Sequence, residues 1–167
     1  MRQISVLALG VLFSTVAFAE NGVVEQAKKS GVKKCLPAVK FMADFLIENG
    51  NSGSHSIWHS SNADKQIFTT VIERNFSDGV LLSNLTVAPV SSGQCAAVYD
   101  QIDYSRKSCV AVAKEAYGKF EYKDTVNKEV VLLQNPSNNV YVYLLPVEGG
   151  GCVSVKKEVL MEAALSK

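Results

Sequence analysis

Apolar residues in the first third of the chain recur with the period of an amphipathic helix. Between residues 36 and 47 they fall on one side of a helical projection, and charged residues fall on the other. Pro37 suits the first turn, where its missing N–H costs little, and Asn49-Gly50 is a typical stop signal. The pattern therefore predicts a helix. Its apolar positions are Leu36, Val39, Met42, Ala43, Leu46 and Ile47, and its polar face carries Lys40, Asp44 and Glu48.

The period changes from about 3.6 residues towards two after a Gly/Ser/Asn-rich loop at residues 49–54. The stretch 54–62 looks extended, and the segments that follow it are rich in β-branched and aromatic residues. Two hairpins are predicted, each around a cluster of turn-forming residues. The first joins residues 65–76 and 80–87 through Ser77-Asp78-Gly79, and the second joins 129–134 and 140–145 through 135–139.

Further elements complete the prediction. Residues 95–104 indicate another strand, and 152–155 one more after the reversal allowed by Gly149-Gly150-Gly151. Helical spacing predicts a helix from Ser108 to near Gly118 and a closing helix on Val155, Val159, Leu160 and Ala163. Residues 23–34 read as a short helix or a loosely held arm that ends near Gly31.

The order of these elements predicts an α+β fold. Short connections favour antiparallel pairing, so we expect a mainly antiparallel sheet of two hairpins plus extra strands. Two or three helices are expected on one face of the sheet, with disulfides linking the elements. No internal repeat is visible in the sequence.

The N-terminus has the features of a secretory signal peptide. Arg2 precedes an apolar run that ends in Ala17-Phe18-Ala19, with small residues at the two positions that a signal peptidase reads. We expect residues 1–19 to be removed and residues 20–167 to form a single α+β domain in the periplasm or outside the cell. An uncut membrane anchor is the weaker alternative, because the run is short and contains Ser and Gly.

Charge excludes one class of partner. The predicted mature chain carries 16 Lys plus Arg against 16 Asp plus Glu, since the leader contains only Arg2. Binding to nucleic acid depends on an excess of clustered cations, so no nucleic-acid partner is expected. No later segment is long and apolar enough for a transmembrane helix, so none is expected in the mature chain.

Four cysteines remain after cleavage, and an even number in an exported chain predicts two disulfides. Among the three connectivities, a local link between Cys95 and Cys109 is favoured, together with a long-range link between Cys35 and Cys152. A zinc site is disfavoured, because no two cysteines have the spacing of two to four residues that such sites use. No metal or other cofactor is expected.

Candidate catalytic residues are few, so an enzyme is not favoured but stays open. His55 and His59 are the only histidines, and in an extended segment their spacing places them about 13 Å apart, too far for a shared metal ion. No Gly-x-Ser-x-Gly motif supports a hydrolase triad. An enzyme would have to combine one of these histidines with distant carboxylates.

Aromatic residues offer the better binding candidates. Tyr141 and Tyr143 share one side of a predicted strand, whereas Val140, Val142 and Leu144 share the other. Tyrosines on a sheet are favoured contact residues in protein interfaces, although they can also pack beneath a helix. Trp58, the only tryptophan, is either a surface anchor or a core residue at a strand end.

These features predict a non-enzymatic binding domain whose partner is another protein. An inhibitor or immunity-type protein, directed against an enzyme or toxin of the cell envelope, fits that description by analogy. The alternative is a small-molecule or glycan binder with a pocket between sheet and helices, walled by Trp58, Tyr141 and Tyr143. The sequence identifies neither the partner nor the oligomeric state.

Overall fold

A computed structural model describes residues 21–48 and 51–160, which form three α-helices and an eight-stranded antiparallel sheet. The predicted signal peptide and the Asn49-Gly50 stop lie outside these residues. The helices are α1 (Gly22–Ser30), α2 (Leu36–Ile47) and α3 (Cys109–Ala116). The strands are β1 (Ser52–Trp58), β2 (Phe68–Phe76), β3 (Gly79–Pro89), β4 (Cys95–Ser105), β5 (Glu121–Val126), β6 (Val130–Gln134), β7 (Val140–Pro146) and β8 (Cys152–Leu160). None of the described helices has the length and hydrophobicity needed to cross a membrane.

The first segment after the predicted leader is a packed helix. The Asn21 side chain accepts a hydrogen bond from the Val23 N–H at the start of α1, as an N-cap does. Gly31 ends the helix with φ 93°, a conformation that glycine adopts without a steric penalty. Because Val23, Val24 and Ala27 are buried, α1 belongs to the core and is not a loose arm.

The sheet contains both predicted hairpins, β2–β3 and β6–β7, and runs in the order β1-β2-β3-β4-β8-β7-β6-β5. Strand β1 begins at Ser52, inside the loop that was predicted to extend to residue 54. The sequence reasoning missed β5, whose residues Glu121-Tyr-Lys-Asp-Thr-Val126 are mostly exposed. An edge strand that is polar on both sides lacks the alternation by which strands are recognised.

The closing helix predicted from Val155 is wrong over the described residues, and its last position, Ala163, lies outside them. Residues Cys152–Leu160 form β8, which pairs with β4 on one side and β7 on the other. The reversal that leads into it is made by Gly149, Gly150 and Gly151, all with positive φ. Val155 and Val159 are four residues apart, a spacing that suits one helix face and equally suits one side of a strand. The strand forms because two neighbours can satisfy its backbone hydrogen bonds.

Directly paired residues of an antiparallel sheet point to the same side, so the registers define two faces. The core face carries Ile72, Leu85, Tyr99, Val142 and Leu144, all of them buried. On this side α2 contacts β2, β3 and β4, and α3 contacts β7 and β8. The opposite side is called the open face below. The buried residues of the core face divide into a large cluster beneath α1 and α2 and a small cluster beneath α3.

The described chain consists of two units with a common plan, which the sequence did not reveal. Each unit has helical structure followed by four antiparallel strands, and the two units join where β4 pairs with β8. Each unit also has one disulfide, from the start of its helix to the first residue of its fourth strand. Cys35 precedes α2 and bonds Cys95 of β4, and Cys109 begins α3 and bonds Cys152 of β8.

The predicted pairings, Cys95 with Cys109 and Cys35 with Cys152, are therefore wrong, although all four cysteines are bonded. Each bond forms within one unit because the helix of that unit packs over its own last strand. The two disulfides are compatible with an oxidising compartment outside the cytoplasm. They close segments of 60 and 43 residues, each worth about 4 kcal/mol in the chain-entropy description.

Replacing both cysteines of either pair by alanine is expected to lower the free energy of unfolding by about 2–5 kcal/mol. The measurement is urea denaturation of Cys35→Ala/Cys95→Ala and of Cys109→Ala/Cys152→Ala under non-reducing conditions. Peptide mapping of the non-reduced parent protein provides the control, and it should recover Cys35 linked to Cys95 and Cys109 linked to Cys152. A fragment that links Cys95 to Cys109 would contradict the pairing.

Arg74 on β2 fixes the C-terminal end of α2. Its guanidinium donates to the Leu46 carbonyl oxygen at 3.3 Å and to the Glu48 carboxylate at 2.8 Å. It also lies over the Phe76 ring, 4.9 Å from the centroid. A cation at this position satisfies an end carbonyl of the helix and complements its dipole. The contacts hold α2 in place above the first unit.

Asp64 fixes the other end of α2. It lies in the 3₁₀ turn Ala63–Lys65, and its Oδ1 accepts hydrogen bonds from the backbone N–H groups of Lys33 and Lys34, both at 2.6 Å. These two bonds, that from Lys34 first, hold the pKa of the Asp64 carboxyl below its ordinary value of 3.8. The turn between β1 and β2 is thereby tied to the segment that leads into α2.

Asp64→Asn is expected to destabilise the fold at neutral pH and to have no effect in strong acid. Because the folded-state pKa lies below the unfolded value of 3.8, the stabilisation is complete above that value and is lost as the pH falls through the folded pKa. Protonated aspartic acid and asparagine have similar shapes, so the two proteins should then converge. Urea midpoints of both proteins, measured from neutral pH into acid, test this, and a constant difference at every pH would contradict it.

Candidate functional site

An apolar row crosses the open face at its centre. Leu82 pairs with Ile102, Ile102 with Val155, Val155 with Tyr143, and Tyr143 with Leu132. Each of five neighbouring strands thus contributes one apolar or aromatic side chain to a continuous row. Leu82, at one end of the row, is 37% exposed. We call these five residues the central row.

A second apolar row lies beside the central row on the same face. Tyr104 pairs with Val153, and Val153 pairs with Leu145. Tyr104 is 54% exposed, and Val153 and Leu145 are half-buried. The two rows together form a band across the middle of the sheet. Contiguous apolar surface of this kind is typical of an interaction site.

The band exists because two central strands present their apolar side chains away from the helices. In β8, Val153, Val155 and Val159 belong to the open face, whereas Ser154 and Lys156 belong to the core face. The second half of β4 behaves in the same way: Ile102 and Tyr104 are on the open face, and Gln101, Asp103 and Ser105 are on the core face. In a sheet with helices packed on one side, apolar residues normally point towards the helices. In the middle of this sheet the order is reversed, and the apolar side chains lie on the open face.

A polar row borders the band on its other side. Asn84, Asp100, Lys157, Tyr141 and Gln134 are paired in turn across β3, β4, β8, β7 and β6. The Lys157 ammonium lies 2.7 Å from Asp100 Oδ1, so the two charges at the middle of the row neutralise one another. The open face therefore has an apolar centre with a polar border, the usual anatomy of a protein interface.

Both predicted tyrosines lie on the open face. The two valines and the leucine that alternate with them along β7 are buried on the core face. Tyr143 is a member of the central row, between Val155 and Leu132. Tyr141 belongs to the polar row, where the Gln134 side-chain amide donates to its hydroxyl at 3.2 Å. The structure thus brings these two candidates together at the centre of one surface.

Trp58 does not join them. It ends β1, the edge strand at the opposite side of the sheet from β5, and pairs with Phe68 on the core face. It is 40% exposed. Five strand spacings separate β1 from β7, about 24 Å. Trp58 and the two tyrosines therefore cannot wall a single pocket.

The histidines are also separate. His55 lies on the open face of β1, at a shallow hollow of about 470 Å³ that also touches Val71, Glu73 and Leu82. His59 follows β1, and its Nδ1 lies 2.7 Å from the Ser61 carbonyl oxygen in a local turn. Among residues 21–48 and 51–160, no group of three or more His, Cys, Asp or Glu side chains could hold a metal ion.

Sequence reasoning missed most of the band. In the sequence, nothing distinguishes Ile102, Val155 and Leu132 from other strand residues. They become neighbours only through the pairing of their strands, which local sequence does not specify. The sequence predicts a strand at 152–155, but the helix predicted from Val155 onwards hid the alternation of Val155 with Lys156. A signal was present in Val153 and Val155, whose alternation with polar residues indicates a strand with one apolar side.

The fold and this face define a disulfide-linked α+β domain with one broad sheet surface. Comparison with known proteins adds no family: no protein-family profile, curated protein or solved structure matches the chain.

Proposed function

We propose that this protein is a non-enzymatic binding domain that docks another protein on the open face of its sheet, in the periplasm or outside the cell. The observation that carries the proposal is the outward facing of Val153 and Val155 in β8 and of Ile102 and Tyr104 in β4. The helices lie over the core face in two layers, α1 and α2 on the first unit and α3 on the second, and the opposite face is left for a partner.

The size of the face suits a protein partner. Eight strands spaced about 4.8 Å apart span about 38 Å, and strands that average about eight residues are about 27 Å long. The resulting area, about 1,000 Å², is enough for the 800 Å² or so that each protein contributes to a standard interface. A small ligand would cover only a part of the band.

The chemistry of the face also suits a protein partner. Tyr143 and Tyr104 supply large, rigid contact area, and such residues dominate the energetics of interfaces. The charges of Asp100 and Lys157 cancel, so neither a polyanion nor a polycation is attracted by the middle of the face. We expect a partner with an apolar patch of its own, such as an enzyme or toxin of the cell envelope that this domain inhibits.

Tyr143→Ala and Val155→Ser are each expected to weaken partner binding by about tenfold or more, since both remove contact area from the centre of the interface. Tyr122→Ala is the matched control, because Tyr122 pairs with Leu133 on the core face of the edge strand β5 and is 62% exposed. The experiment uses the oxidised protein as bait for envelope and secreted fractions of its own source. Mass spectrometry identifies bound proteins, and calorimetry with the purified partner gives the affinities.

Two results would contradict the proposal. One is a partner that binds the Tyr143 and Val155 variants as tightly as the parent protein. The other is a stable homodimer in light scattering that Tyr143→Ala converts to monomer, because a second copy would then occupy the face. Thermal unfolding of each variant confirms that a loss of binding does not reflect a loss of fold.

A further inference from the structure

A cleft of about 540 Å³ opens on the core face, where the two helical layers do not meet. Its floor is the second half of β4 and the adjoining part of β8, and its walls come from α3 and from the β2–β3 hairpin. We call it the seam cleft, and its principal residues are Phe76, Leu81, Gln101, Asp103, Tyr117 and Lys156. The volume is within the range of small-molecule sites in proteins.

The floor is polar at the point where apolar residues would join the two clusters of the core. Gln101 pairs with Lys156, and Asp103 pairs with Ser154, so four polar side chains lie together. Ser154 is buried, and its hydroxyl lies 3.4 Å from that of Tyr117. Polar groups below the surface are costly unless they have partners. Their placement between two apolar clusters leaves a polar strip that is open to water or to a ligand.

Lys156 is the cation on the floor of this cleft. It is half-buried, and its ammonium lies 3.5 Å from Gln101 Oε1 and 5.8 Å from the centre of the Tyr99 ring. No carboxylate of the described residues lies within 4 Å of it. Glu158, the carboxylate two residues further along β8, accepts a hydrogen bond from the buried Tyr99 hydroxyl at 2.8 Å. The ammonium is therefore available to an anionic group in the cleft.

Asp103 is the anion on the floor of this cleft. It is exposed at the floor of the cleft, and its side chain has no hydrogen bond or ion pair with the described residues. Asp103 and Lys156 are diagonal neighbours, whose Cβ atoms lie about 7 Å apart in an antiparallel sheet. On the open face, by contrast, Asp100 is directly paired with Lys157 and the two form an ion pair. The floor of the cleft thus holds one charge of each sign, side by side and not in contact.

Three other charged residues line the cleft away from its floor. Lys107 and Glu115 form an ion pair with each other, and Asp78 lies in the turn between β2 and β3. Asp103 and Lys156 are therefore the charged residues that β4 and β8 contribute to the cleft.

We propose that the seam cleft binds a small zwitterion, an α-amino acid with an apolar side chain. Its carboxylate would be bound by the Lys156 ammonium and its ammonium by the Asp103 carboxylate. The amino-acid side chain would contact the apolar walls, formed by Phe76, Leu81, Val112 and Tyr117. A ligand with only one charge leaves the opposite protein charge without a partner, so both ligand charges should contribute to affinity.

The test is a titration of the oxidised, ¹⁵N-labelled protein with phenylalanine, followed by amide chemical shifts. Two analogues serve as matched probes: 3-phenylpropionate has the carboxylate without the amine, and phenethylamine has the amine without the carboxylate. We expect saturable shifts around Gln101, Tyr117 and Lys156 with phenylalanine, and affinities about tenfold or more weaker for both analogues.

Variants locate the two charges. Lys156→Met and Asp103→Asn should each weaken phenylalanine binding about tenfold or more, whereas Lys157→Met, on the same strand but the open face, should leave it unchanged. Absence of saturable shifts up to the solubility limit would overturn the proposal. So would shifts outside the cleft, equal binding of either analogue, or unchanged binding by both cleft variants. Tyr143→Ala, which tests the open face, should not alter this binding, so the two proposals can fail separately.

Discussion

The pairing of β4 with β8 is the interaction on which the rest of the structure depends. It extends from Ala97 opposite Leu160 to Ser105 opposite Cys152 and is the only strand pairing that joins the two units of the described chain. Both strands are last in their units, so the contact forms between segments separated by about 50 residues. Closing such a loop costs conformational entropy before packing contacts can compensate for that cost. Everything that spans the units, including the central row and the seam cleft, requires this pairing first.

The disulfides reinforce the same contact. Cys95 begins β4 and Cys152 begins β8, and because the two strands are antiparallel, the cysteines lie at opposite ends of the pair. Each bond attaches the helix of its unit to one end of a central strand. The unfolded chain is thereby restricted in both units, while the β4–β8 contact itself stays non-covalent. Reduction should therefore weaken the units individually and, through them, the sheet.

Local patterns predicted the parts of the fold that local patterns determine. Helix α2 and the β2–β3 and β6–β7 hairpins follow from periodicity and turn chemistry within 25 residues of sequence, and they are present. The alternation of residues along the strand was enough to predict that Tyr141 and Tyr143 lie on the same side of it. Their proximity to Ile102 and Leu82 could not be predicted, because it depends on strand order across the whole sheet. The cysteine pairing was wrong for the same reason, since it follows from the position of each helix over its own unit.

The cleft arises from the difference between two units with the same plan. The first unit has two helices, and α2 has 12 residues, whereas α3 has eight. At 1.5 Å per residue, α3 is about 6 Å shorter than α2, and the second unit has no counterpart of α1 before it. The helical layer therefore ends before it covers the adjoining parts of β4 and β8. Polar residues such as Lys156 and Asp103 are suited to the uncovered strip because water or a ligand reaches it. The valines of β8 alternate with Lys156 and its polar neighbour and therefore lie on the open face. The incomplete helical layer on one face and the apolar band on the other are thus two consequences of the same strands.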